Sequence, residues 1–174
     1  VIQAAKPADM LTSMRQGRLD AAWVPEPWGA RLVREAGARV FVDERDLWPD
    51  GRFSTSLLVC REPYARANPQ TMEHLLEAHV DKTLWISANP EQAIKAFNAE
   101  IKKLLGAPFD ERDLRESLKR MEFTFDPLRG SVEKVADDAY RLGLLGDERP
   151  DLSGMFDLDT LNRVLEQRGL ATVS

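Results

Sequence analysis

A single cysteine, Cys60, stands in a chain of 174 residues, which excludes an internal disulfide and any zinc site built on cysteines. Its neighbours form the apolar run Leu57-Leu58-Val59-Cys60, where a buried structural thiol is the expectation. Histidine is almost as scarce. His74 and His79 lie five residues apart on one predicted helix, hence roughly 140° apart around its axis, and do not converge on a ligand. His-Glu-x-x-His spacing is absent, as are the Gly-x-Ser-x-Gly elbow of a serine nucleophile and any Gly-x-Gly or Gly-Lys-Ser/Thr phosphate loop. The acidic groups Asp43/Glu44/Asp46 and Asp137/Asp138 lack the glycine-containing loop of a calcium hand and read as solvated charge. No catalytic residue, metal ligand or cofactor is therefore assigned. No segment approaches the roughly 18 consecutive apolar residues of a membrane span. A net charge of −5 argues against nucleic acid as a partner, because phosphate contacts need clustered Lys and Arg.

With 43% hydrophobic and 30% charged residues, the composition is that of a globular chain able to bury a core. Helix and strand patterns alternate over the first 60 residues, predicting an α/β arrangement. Met10, Leu11, Met14 and Leu19 fall at helical spacing with Gly17 as a stop, and Ala21-Ala22-Trp23-Val24 reads as a short strand. Pro27 opens a helix carrying Trp28, Leu32 and Val33 and ending near Gly37; Arg39–Val42 gives a second strand and Thr55–Cys60 a third. The polar stretch Asp43–Arg52 is a hinge-like connection between them. From Pro63 onward the pattern is almost wholly helical, with starts marked by Asn68-Pro69, Asn89-Pro90, Asp110, Asp126-Pro127 and Asp157. The chain opens at Val1 directly into this α/β pattern, and a lone strand followed by helices makes no self-sufficient sheet. A processed or truncated product is the expectation, with self-association through exposed sheet edges as one consequence.

Four tryptophans carry the search for a binding site. Trp85 fits a helical core, whereas Trp23, Trp28 and Trp48 lie at strand ends or connections, where open α/β sheets hold ligands. Structural packing is an equal reading for each of these three.

The run Lys6-Pro7-Ala8-Asp9-Met10, followed by Arg15 to Trp28 with its Gly-x-Leu-Asp-Ala and Pro-Glu-Pro-Trp segments, resembles ABC-transporter solute-binding proteins for nitrate, sulfonates and taurine. The likeness continues through Leu58-Val59, Arg61–Pro69, Ala136–Ala139 and the Asp157–Gly169 helix. It implies a partial type II periplasmic-binding-protein fold: an α/β half-lobe, a crossing strand and a mainly helical C-terminal part. Residues 1–52 would be the last part of the second lobe, and 53–174 the return to the first lobe with its C-terminal helices. The N-terminal parts of both lobes would be absent.

The same resemblance implies a binding component without catalysis, which captures a small anion by lobe closure and docks on the membrane permease of an ABC importer. Aliphatic sulfonates are the best guess for the solute, and the location would be periplasmic or at the cell surface. Cleft contacts would come from Pro25 and Glu26, and from Ser54 and Thr55, whose hydroxyls suit an oxyanion. Glu26 has two readings, as acceptor for a ligand amine such as that of taurine or as cap for the following helix. Rivals of the same fold are effector-sensing domains of regulators and enzymes making the thiamine pyrimidine; a fragment that only oligomerises is the third.

Overall fold

Proline and Asx residues open most of the helices, as their lack of a needed N–H or their short acceptors allow. The computed structural model describes residue 2 and residues 4–174. It has eight α-helices among the described residues: α1 (Pro7–Arg15), α2 (Trp28–Ala36), α3 (Glu62–Ala67), α4 (Pro69–Ala88), α5 (Pro90–Leu105), α6 (Glu111–Leu118), α7 (Arg129–Arg141) and α8 (Asp159–Gln167). Two single 3-10 turns, Glu44–Leu47 and Pro49–Gly51, lie between α2 and α3. Helix α2 stops at Gly37, whose φ of 68° is the left-handed conformation that a side chain disfavours. Asp110 caps α6 by accepting the Arg112 N–H at 2.8 Å.

No strand occurs among the described residues, so the expected α/β class, half-lobe and crossing strand are not what this chain forms. The three predicted strands, 21–24, 39–42 and 55–60, are irregular segments outside any helix or ladder. Alternating or continuous apolar runs create strand propensity, but a strand exists only when another segment satisfies its N–H and C=O groups. None of these segments takes another as partner, and their side chains stay in the open: Trp23 is 76%, Phe41 98% and Val59 78% exposed. Cys60 is exposed with them, contrary to the buried thiol expected.

The chain divides into two units, one comprising the residues up to Val42 with Ile86–Phe123, the other Asp43–Trp85 with Thr124–Ser174. In the first unit, α2 packs on both α1 and α6, and α6 on α5. Leu11, Ala30, Leu32, Ile94 and Leu114 are buried there. Between α2 and α6, Arg34 grips the buried Asp113 in a fork, with Nε to Oδ1 and Nη2 to Oδ2 both at 2.6 Å. Two parallel charge-assisted bonds fix position as well as charge, which sets how α2 and α6 meet.

In the second unit, Val80 of α4 meets Leu161, Val164 and Leu165 of α8, flanked by Leu76, Phe125, Leu158, Leu170 and Val173. Removing a leucine side chain such as that of Leu165 from water contributes about 2 kcal/mol. The Asn162 side-chain amide exchanges two hydrogen bonds with the backbone of Val173, at 2.9 and 3.0 Å, and holds the C-terminal segment on α8. Arg168 adds an ion pair to Asp81 at 2.8 Å.

Candidate functional site

In the first unit, Pro25 is exposed and Glu26 sits just ahead of α2. Glu26 Oε2 accepts the Ala30 N–H at 3.0 Å, an otherwise unsatisfied amide of the first helical turn. Oε1 accepts Arg120 Nη1 at 2.7 Å. Ser117 Oγ stands 3.0 Å from Oε2 and 2.7 Å from the Asp113 carbonyl, and its single proton serves one acceptor at a time. The carboxylate also lies over Gly29, where a Cβ would come within 3.0 Å of Oε1. Both oxygens are thus engaged within the unit, tying the start of α2 to the end of α6.

One turn on, Trp28 lines an open cleft of about 370 Å³. Phe109 meets the Trp28 ring edge-on, with centroids 5.9 Å apart, and stacks on Phe97 at 6.3 Å. Leu105 and Pro108 extend the apolar wall. Phe109 lies in the connection between α5 and α6, yet its main chain is fixed. Asn98 donates from Nδ2 to the Phe109 carbonyl at 2.9 Å and accepts the Phe109 N–H at 3.0 Å.

The polar side of this cleft comes from α2. The Arg31 guanidinium lies 4.6 Å from the Trp28 centroid and donates from Nε to Glu35 Oε1 at 2.9 Å. Stacking on one face and the ion pair on one edge hold the group in place. Glu35 also accepts from Arg34 Nη2 at 3.0 Å. Asp110, on the rim, is chelated by Arg112, whose hydrogen bonds hold its carboxyl well below the usual range. A second groove in the same unit, about 250 Å³, is lined by Pro90, Leu118, Met121 and Phe123, with Glu122 as its charged residue. A carboxylate there does not suit an anion.

Trp48, Ser54 and Thr55 fall in the second unit. The Trp48 ring stacks on Phe53 at 5.5 Å, its Nε1 donates to Glu44 at 2.7 Å, and Lys134 Nζ stands 4.7 Å from the ring centroid. Ser54 donates its N–H to Ser131 Oγ at 3.0 Å and its hydroxyl to the Pro127 carbonyl, so the group expected to face an oxyanion joins the chain ahead of α7. Thr55 is exposed. The structure brings Trp28 and Glu26 onto one helix start and places Trp23 in the open.

Sequence reasoning missed Arg31, Asn98 and Phe109. Arg31 had a local signal, since Trp28, Arg31 and Glu35 follow i, i+3 and i, i+4 spacing on one helix face. Phe109 is remote in sequence from Trp28 and had none.

Among the described residues no group of three His, Cys, Asp or Glu is arranged to hold a metal ion. No described helix is long and apolar enough to cross a membrane. Compared with known proteins, residues 2–101 match the model of the NMT1-like family, which lies within the type II periplasmic-binding-protein group of ABC solute-binding proteins. No curated protein and no solved structure matches the chain.

Proposed function

The chain belongs to the NMT1-like family, a family of binding proteins and not of enzymes, and from that premise we propose that it serves as the substrate-binding component of an ABC importer for small anions. The match over residues 2–101 carries this reading. Aliphatic sulfonates fit best, because a sulfonate offers several oxygen acceptors beside an apolar tail, and an Arg-bearing cleft with an aromatic wall suits both ends. Capture needs no chemistry. The solute stabilises a closed state through its differential affinity, and that state docks on a membrane permease outside the cytoplasm, in the periplasm or at the cell surface.

Thermal unfolding across taurine, alkanesulfonates and nitrate tests the proposal. A ligand that binds the native state raises Tm with concentration, by linkage. A Tm that stays flat with every anion removes the reading.

A further inference from the structure

Arg31 presents hydrogen-bond donors that the fold does not use. Its Nε is taken by Glu35, but its two Nη groups make no hydrogen bond among the described residues, and its side chain is 24% exposed. The neighbouring arginine differs. Arg34 gives Nε and Nη2 to Asp113 and shares Nη2 with Glu35, so its role is to join α2 to α6.

The carboxylates around Arg31 are each paired with an arginine. Glu35 accepts hydrogen bonds from Arg31 and Arg34, both at Oε1, and Asp110 is held by Arg112. Formal charge near the cleft is therefore balanced, with Arg31, Arg34 and Arg112 facing Glu35, Asp110 and Asp113. What remains is directional: Arg31 keeps two Nη groups without an acceptor among the described residues, while Glu35, Asp110 and Asp113 each already carry an arginine partner. An incoming cation would meet carboxylates already neutralised by arginines, whereas an oxyanion meets N–H groups already held in position by Trp28 and Glu35. Beyond the guanidinium, Phe109 and the Leu105-to-Pro108 side of the cleft give an apolar surface, and about 370 Å³ admits a small organic molecule.

We propose that this cleft, contained within the first unit, is a binding site for a small organic oxyanion, whose charged head is held by the Arg31 Nη groups and whose short apolar tail lies along Phe109. The inference rests on the reading of the chain as an anion binder and names the group that would take the anion. Arg31 is the specificity-determining contact, Trp28 and Glu35 orient it, and Asn98 positions the opposing wall through Phe109. A sulfonate and a carboxylate share the chemistry, since either offers two oxygens to the end of a guanidinium fork.

The test is nuclear magnetic resonance titration of the full 174-residue chain with butanesulfonate, butanoate and, as a neutral control, butanol. Both anions are expected to shift the Trp28 indole signal and the Arg31 and Phe109 amides in a saturable way, with no such response to butanol. Arg31→Gln should weaken binding by about tenfold, and Arg31→Lys, which keeps the charge without the fork, by less. Saturable shifts that map elsewhere, or equal affinity in Arg31→Gln, overturn this site and leave the chain an anion binder. Failure of the unsubstituted chain to bind either anion overturns both readings. Should Arg31→Gln not fold, Arg31→Lys and the map on the unsubstituted chain decide the matter.

Discussion

Asn98 does for Phe109 what a neighbouring strand would do, taking both main-chain groups of that residue in a pair of hydrogen bonds at 2.9 and 3.0 Å. Asn98 is itself buried on α5, so the connection leading into α6 is pinned to a helix and Phe109 is presented to Trp28. Asn98→Ala would leave two main-chain groups without that partner, at a cost of about 2 kcal/mol. Urea unfolding measures the loss, and an unchanged midpoint would show that the loop is held by other contacts.

The Arg34–Asp113 fork joins a cation that is 34% exposed to a carboxylate that is 2% exposed. Arg34→Met leaves the buried charge unmatched. Partial access of water to the arginine side moderates the penalty, so a partial loss of stability, read as a lower urea midpoint, is expected. Replacing both residues, as in Arg34→Met with Asp113→Leu, should recover much of it, because an apolar pair carries no desolvated charge. A double-mutant cycle reads the coupling directly.

Several carboxylates are held below their ordinary values of 3.8 for aspartate and 4.5 for glutamate: Asp81 by Arg168, Glu91 by Arg115 and Asp138 by Lys134, in each case chiefly through a side-chain hydrogen bond. A depressed folded pKa contributes stability that is fully present above the unfolded value and is lost as pH falls through the folded one. Tm should stay level from about pH 8 to about pH 5 and decline below about pH 4. Asp81→Asn should shallow that decline, and calorimetry at stepped pH would show it.

The irregular segments leave Trp23, Phe41 and Val59 exposed at 76%, 98% and 78%. Apolar side chains left in water in this way favour association between copies. Light scattering should give a mass above the 19.7 kDa of one chain as concentration rises, with Phe41→Ser lowering it. A constant 19.7 kDa at every concentration would oppose the expectation.

Helix starts were legible because their signals are local. Pro69 and Pro90 open α4 and α5, Asp110 caps α6, and Gly37 ends α2 where the sequence places them. The expected strands failed for the opposite reason. Val40, Phe41, Leu58 and Val59 have the right side chains, but pairing depends on a remote segment that the apolar pattern does not specify. The site was legible to the same degree. Trp28 stood out beside Pro-Glu-Pro, while its partner Phe109 is brought to it only by the packing of α2, α5 and α6. Ser54 carried the right hydroxyl for an oxyanion, and the fold uses it to bond the chain ahead of α7.

Isothermal titration of the chain with butanesulfonate, against butanol at equal concentration, tests the central claim most directly. The account predicts saturable heat with one site per chain for the sulfonate and none for the alcohol. Equal heats for the two, or none for either, would contradict it.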